Sequence, residues 1–598
     1  MTDAISTTKL TKVTNVKEGF RALRVLRGLC GLAALVLCIS AATDAAAQSV
    51  VADAVMNGDA AALHALLQRK ADVNAPQVDG STALHWAVYR DNLDAADLLI
   101  RSGATSSAIT REGVTPLAMA SLYGSVPMVE RLLKAGADAR ERGPNGETML
   151  MFAARNGNPE LIKILVAAGA EVNASERLRG TTALMWAVEQ QHPEAVKALL
   201  AARADPGAKS GPAGLPRNYV ANRVNVRAVQ ESQQRRRRAV AAGRTYEQQL
   251  EWERQQPAPV QAQAPPDDDT EVVVAGLVGS GGGGLTALVL AAREGDIGSA
   301  RALVDAGADL NQVTEYGWTP LLTAVNNRNY ELASMLIERG ADVNIANKGG
   351  WTPLYLATDN RNIEGGDYPV PKPDRDHLDI ITHLLEKGAN PNARVRENTL
   401  TRTIFTMQWF FEDGATAFAR AAESSDTALM ALLLKYGADS AIPTANGDTA
   451  LTLAGGIGWV EGVTFERSPQ ENLQAVRMLL DLGLDPDGAN IEGRTPLMGA
   501  ALKGRNDVVR LLVERGARLD LRDRGSRDSD KVGSAAAGHT WQAIDYADGL
   551  VRAGVQGAIA HPETSALIRE LMVERGLPVP PPGRDILSIC VVALCQGQ

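Results

Sequence analysis

The sequence predicts an all-α solenoid of helix-turn-helix repeats, and three observations carry that reading. First, a Gly-x-Thr-x-Leu phrase recurs along the 598 residues, at Gly80, Gly113, Gly146, Gly180, Gly284, Gly317, Gly350, Gly414 (with Phe418 in place of Leu), Gly447 and Gly493. The intervals Gly80–Gly113, Gly113–Gly146, Gly284–Gly317, Gly317–Gly350 and Gly414–Gly447 are each 33 residues. Second, each phrase opens a pair of short apolar stretches with helical spacing. Third, aromatic residues make up only 4% of the chain, leaving Leu and Ala to fill thin helices. A fixed period of this size means stacked units that bury their faces on one another rather than one globular core.

The segment 316–344 shows how one unit is built. Gly317 supplies a turn conformation that a side chain would hinder. Thr319 is a good helix N-cap, and Pro320 sits in the first turn, where helices tolerate proline. Leu321 and Ala324 begin the apolar face of a first helix, a second helix runs from 330 to 339, and Gly340 caps it. Ala341-Asp342-Val343-Asn344 then leads to the next turn.

These units resemble the ankyrin repeat. The Thr-Pro-Leu-His-x-Ala signature stands as Thr82-Ala83-Leu84-His85-Trp86-Ala87, and Gly-Ala-Asp-x-Asn as Gly340-Ala341-Asp342-Val343-Asn344, echoed after Gly136, Gly169, Gly307, Gly388 and Gly437. The resemblance covers most of residues 51–577 and implies about eleven repeats in two arrays, with hairpin-like turn tips between helix pairs. Among the phrases, only Leu84 is followed by the family's His, so most repeats lack the Thr–His side-chain bond.

The N-terminus reads as an export signal over residues 1–47. Lys9, Lys12, Lys17, Arg21, Arg24 and Arg27 precede the apolar run 29–39, and Ala45-Ala46-Ala47 offers small residues for cleavage. The expected location is therefore the periplasm or the extracellular space, or the membrane if the segment is retained as an anchor. The formal net charge of −9 provides no global basic field for nucleic acid. Cys30 and Cys38 fall in the signal, while Cys590 and Cys595 in the tail are candidates for a disulfide in an exported protein.

An N-terminal array spans 48–211. Residues 212–284 interrupt it with an Arg-rich stretch, including Arg235–Arg238, then a Pro/Gln/Ala linker, three aspartates and four glycines, the composition of a solvated tether. A C-terminal array occupies 285–577, with insertions at about 362–376, 396–413 and 456–470, followed by a Pro-rich tail, 578–598. The glycine tether suggests two bodies, yet the repeat phase resumes cleanly after Gly284, so direct stacking stays open.

Tyr316, Trp318, Lys348 and Trp351 fall on consecutive turn tips, where the family resemblance implies partner contact; the alternative for Trp318 and Trp351 is that they cover the hydrophobic edge between neighbouring repeats. Trp409, Phe410 and Phe411 form the densest aromatic cluster, and with Trp459 and Phe465 they are candidates to line a groove or cap the core. Trp86 and Trp186 share one repeat position inside the first helix and read as core packing. The seven histidines are scattered, and no His-Glu-x-x-His motif, phosphate-binding loop or Gly-x-Ser-x-Gly elbow occurs. The sequence thus predicts a non-catalytic protein-binding scaffold of the cell envelope, with no cofactor, metal or catalytic residues and a protein partner engaged through the concave surface and turn tips. Two rival readings are an accessory subunit of a periplasmic enzyme and an enzyme whose site lies in the insertions near His377 or Asp413.

Overall fold

The computed structural model describes residues 49–211, 283–362, 372–396, 413–459, 466–524, 540–551 and 559–584, together with the isolated positions 242 and 252. The 24 helices among the described residues form twelve antiparallel pairs, against the about eleven repeats that the resemblance implies. The first five pairs are α1/α2 (Val50–Asn57, Ala60–Gln68), α3/α4 (Ala83–Tyr89, Leu93–Arg101), α5/α6 (Pro116–Tyr123, Val126–Lys134), α7/α8 (Met149–Asn156, Pro159–Ala167) and α9/α10 (Ala183–Glu189, Pro193–Ala201). The next four are α11/α12 (Ala287–Glu294, Ile297–Asp305), α13/α14 (Pro320–Asn326, Tyr330–Glu338), α15/α16 (Pro353–Arg361, His377–Glu386) and α17/α18 (Ala417–Glu423, Thr427–Lys435). The last three are α19/α20 (Ala450–Gly455, Pro469–Asp481), α21/α22 (Pro496–Leu502, Asn506–Glu514) and α23/α24 (Ala543–Ala547, Pro562–Glu574). Among the described residues there are no strands beyond the isolated bridges Arg142–Thr148 and Ser175–Thr182 at turn tips.

Local chemistry sets each unit. The threonine of the recurring phrase caps the first helix: in Thr115, Thr148, Thr182, Thr286, Thr319, Thr352, Thr416, Thr449 and Thr495 the hydroxyl oxygen accepts from the amide three residues on. Thr82 differs as its following histidine predicts. His85 Nδ1 accepts from the Thr82 amide at 3.1 Å and lies 3.0 Å from its hydroxyl, while Nε2 donates to the Val114 carbonyl of the next repeat at 3.1 Å. The glycine of the phrase is needed for two reasons, seen at Gly317. Its φ is +79°, and a Cβ there would lie 3.0 Å from the Lys348 amide of the neighbouring tip.

Each first helix packs on the next, and the second helices stack behind them. The side-chain amides that end the Gly-Ala-Asp-x-Asn signature clamp successive repeats. Asn344, for example, accepts from the Asn390 amide at 2.8 Å and donates to the Gly388 carbonyl at 2.9 Å, and Asn392 repeats this towards Asp439 and Gly437. A second ladder joins the tips by backbone bonds, including Arg111 N to Asp79 O (2.8 Å), Arg177 N to Asn145 O (2.8 Å) and Lys348 N to Tyr316 O (3.1 Å).

The two arrays stack directly: α9 packs on α11 and α10 on α12. Residues 211 and 283 belong to a single turn tip. Gly211 donates to the Arg179 carbonyl of the preceding tip at 2.7 Å, and Gly283 accepts from the Glu315 amide of the following tip at 3.1 Å. Ser210 N to Leu285 O (2.8 Å) closes this tip as Thr314 N to Trp318 O (3.0 Å) closes the next. The same pattern brackets the residues between Arg396 and Asp413, where Val395 N bonds Ala415 O at 2.9 Å, and those between Arg524 and Thr540, where Asp523 N bonds Trp541 O at 2.9 Å. The interruptions after Asn362, Trp459 and Val551 lie instead between the two helices of a pair. Deleting residues 212–282 and joining Gly211 to Gly283 restores a tip of ordinary length. Thermal unfolding followed by circular dichroism is expected to give a midpoint within about 2 °C of the full chain, since the helix packing and the tip bonds across this junction are all kept.

Candidate protein-binding face

The structure divides the aromatic residues differently from the sequence reading. Trp318 and Trp351 were candidates for partner contact or for covering the edge between neighbouring repeats, and the structure favours the second. They are 3% and 0% exposed and belong to the core, so neither ring is available to a partner. The cause is the tip itself. The residue after the glycine folds back on the residue four before it, with Trp318 N bonded to Thr314 Oγ1 at 3.1 Å and Trp351 N to Asn347 Oδ1 at 3.0 Å. That places each indole between stacked repeats, and the Trp351 ring meets Tyr355 edge-on at 4.9 Å. Tyr316, half-buried, and Lys348, exposed, remain on the tip surface, with the ammonium 5.9 Å from the phenol ring centre.

Trp459 is half-buried at the opposite end of the first helices from Tyr316, with the buried Lys503 ammonium 5.6 Å from its ring centre. It therefore does not share a site with the Tyr316 tip. Trp409, Phe410, Phe411, Phe465, Cys590 and Cys595 lie outside the described residues, as do residues 1–47 and Arg235–Arg238.

The aromatic residues that do reach the surface lie on the first helices of the N-terminal array. Trp86, Met119, Phe152 and Trp186 each stand four residues after the capping threonine, and each is half-buried. The next turn adds Tyr89, 57% exposed, and, beside Leu122, Tyr123, 50% exposed. Their rings meet edge to face: Trp86–Tyr89 at 5.6 Å, Tyr89–Tyr123 at 6.0 Å and Phe152–Trp186 at 6.2 Å. The tips ahead of these helices carry exposed Val78, Ile109 and Leu178. The result is an apolar stripe crossing four consecutive repeats.

The polar handles of this stripe are already engaged. Trp86 Nε1 donates to Gln77 Oε1 at 2.6 Å, and Gln77 Nε2 donates to Asp53 at 2.6 Å. Trp186 Nε1 donates to Thr181 Oγ1 at 2.9 Å, which donates to Glu176 at 2.7 Å. Burial pushes the Glu176 carboxyl up, but bonds from Thr181 and from the Arg179 and Leu178 amides outweigh it and hold the group below its usual range, ionised at neutral pH. With both indole donors used, the tryptophans offer a partner ring edges and faces.

Among the described residues the C-terminal array has nothing equivalent. Four residues after the cap, Leu290, Thr323, Leu356, Arg420, Leu453 and Tyr546 are all 5% exposed or less. Charged groups stand where apolar ones are usual: Arg420 is 1% exposed and ion-paired to Asp359 at 3.1 Å and Glu423 at 3.0 Å. Asp426 is bridged by Arg361 at 2.7 Å and Arg467 at 2.9 Å, and Glu466 by Lys503 and Arg505. His377 Nδ1 lies 2.8 Å from the Tyr330 hydroxyl, and burial, with Arg328 and Arg361 nearby, pushes the imidazole down to about 4. Asp413 sits in a turn tip, where burial raises its carboxyl. Among the described residues no group of three or more His, Cys, Asp or Glu is arranged to hold a metal ion, and no helix is long and apolar enough to cross a membrane.

The stripe was missed from sequence because Trp86 and Trp186 were read as core. The usable signal was position: aligning the repeats on the capping threonine puts Trp86, Met119, Phe152 and Trp186 in one column.

Stacked helix pairs with clamped tips and an open aromatic face define a repeat-solenoid binding protein. The comparisons identify which kind. The family described as ankyrin repeats (3 copies) matches residues 51–142, 131–210, 269–347, 288–395 and 468–523, more than half of the chain. The chain belongs to the ankyrin repeat family, whose repeats imply a protein–protein interaction role. It is similar to Ankyrin repeat and SOCS box protein 16 of Mus musculus, 36% identical over 88 residues, covering 15% of this chain and 18% of that protein. The Homo sapiens protein of that name is 28% identical over 165 residues, covering 25% and 35%. Ankyrin repeat domain-containing protein 63 of Homo sapiens is 36% identical over 148 residues, covering 24% and 35%. The matches thus span about a third or less of the curated relatives' own lengths.

Proposed function

We propose that this protein is a non-catalytic scaffold of the cell envelope that binds a protein partner through the first-helix face of its N-terminal array. The observation that carries this reading is the open stripe from Trp86 to Trp186, the only column of first-helix aromatics exposed among the described repeats. Rigid aromatic side chains give large contact area for little ordering cost, and a prestacked solenoid presents them without rearrangement. The export part of the reading rests on the residue pattern of 1–47.

The test uses tagged full-length protein, crosslinked in cells and captured from the envelope fraction, with N-terminal sequencing of the mature chain, expected to begin near Gln48. A saturable partner is expected for the native chain. The variant Tyr89→Ala/Tyr123→Ala should bind it at least about thirtyfold more weakly, roughly 2 kcal/mol, as for paired aromatic anchors. Its melting midpoint should stay within about 2 °C, because both side chains are exposed. Equal capture by the variant and the native chain would refute the assignment of this face.

A further inference from the structure

The polar cluster between the eighth and ninth repeats leaves buried polar atoms without hydrogen-bond partners. Arg420 is nearly exhausted: Nε donates to Asp359 at 3.1 Å, Nη1 to Glu423 Oε2 at 3.0 Å and to Ser424 Oγ at 2.9 Å, and Nη2 to the Asn362 carbonyl at 2.5 Å. The other carboxyl oxygen of Glu423, Oε1, is buried with no hydrogen-bond partner. So are the Asn362 Oδ1 acceptor and the Thr358 hydroxyl, which can donate as well as accept, at the end of α15, which meets the same guanidinium. Leaving such acceptors unmet inside a protein is costly, and an ionised carboxylate more so. A proton on Glu423 would remove the charge and add the missing donor.

We propose that Glu423 is a proton-controlled joint of the solenoid: with its carboxyl neutral, α15 and α17 are held together through Arg420, and ionisation loosens that contact. The charged groups facing it act in both directions. Asp359, on α15, repels its charge, as does Asp448, in the turn before α19; Arg420 on its own helix and Lys503 attract it. Arg361, on α15, is paired to Asp426, at the start of α18, and so is largely neutralised. Burial outweighs the attraction, and the carboxyl is pushed up from 4.5 to about 7. The folded value lies above the unfolded one. The stabilisation is therefore complete below about 4.5 and is lost as pH rises through about 7.

The experiment is hydrogen exchange of the full chain at pH 5.5 and 8.0, corrected for intrinsic exchange chemistry, on the native protein and on Glu423→Gln. In the native protein the amides of α15 and α17 should lose protection by about ten- to a hundredfold at the higher pH, the range a shift of this direction allows. In Glu423→Gln, which cannot ionise, protection should be equal at both. Unchanged native protection, or the same pH dependence in the variant, overturns the proposal. Should the variant fold poorly, difference infrared spectroscopy of the native chain decides: a protonated carboxyl band that titrates near neutrality supports the joint, and a carboxylate throughout that range overturns it.

Discussion

Replacing Arg420 with alanine is expected to lower the stability of the C-terminal array by about 3–5 kcal/mol, the cost of removing one partner from a buried ion pair. Its guanidinium is 1% exposed and bonds two carboxylates, a hydroxyl and a carbonyl. Deleting it leaves Asp359 and Glu423 buried without that shared cation. Arg420→Lys should recover little, because one ammonium cannot reproduce a planar fork that bonds in four directions. The loss should be larger at pH 8 than at pH 5.5, where a protonated Glu423 needs its cation less. Repeat arrays do not unfold as one unit, so urea denaturation should be paired with segment-resolved hydrogen exchange. The weakening is expected around α15, α17 and α19, while α3 to α9 keep their protection. A change below about 1 kcal/mol would mean that the pairs contribute little beyond their own desolvation.

Trp351→Ala is the second large effect, again about 3–5 kcal/mol, here from a cavity. The indole is fully buried and stacked edge-on against Tyr355. Lys348→Ala, three residues away on the exposed surface of the same tip, should change stability by less than about 0.5 kcal/mol. Denaturation midpoints of the two variants measure the difference directly. If Trp351 acted at a binding surface instead, its loss would weaken partner capture while leaving the midpoint in place. The burial of the ring predicts the reverse.

The two experiments probe different ways in which this family's repeat has been altered. In the N-terminal array, first-helix positions carry Trp86, Phe152 and Trp186 and stay open. In the C-terminal array the corresponding position holds Arg420, and its neighbours Asp359 and Glu423 join it below the surface. Exposure of the first and burial of the second suit binding at one end and internal cross-linking of repeats at the other.

The repeat period, the threonine caps and the glycine turns were legible in the amino-acid sequence, as was the recurrence, though not the clamping role, of the asparagines that end each signature. Each acts through bonds to residues within a few positions or at a fixed offset in the next repeat, so each leaves a periodic trace. Direct stacking across residues 212–282 was not legible, because a long interruption looks the same whether it separates two bodies or leaves and re-enters one turn. Only the backbone ladder through Gly211 and Gly283 decides it.

The aromatics show the division most clearly. Sequence alone placed Trp318 and Trp351 on tips and Trp86 and Trp186 inside helices, and both placements along the chain are right. What it did not determine was exposure. The tryptophans just past the tip glycine are folded into the core, whereas the first-helix position four residues after the cap is half-exposed in the N-terminal array and buried in the C-terminal one. That choice depends on which neighbouring surfaces meet when the repeats stack, and tertiary structure alone settles it.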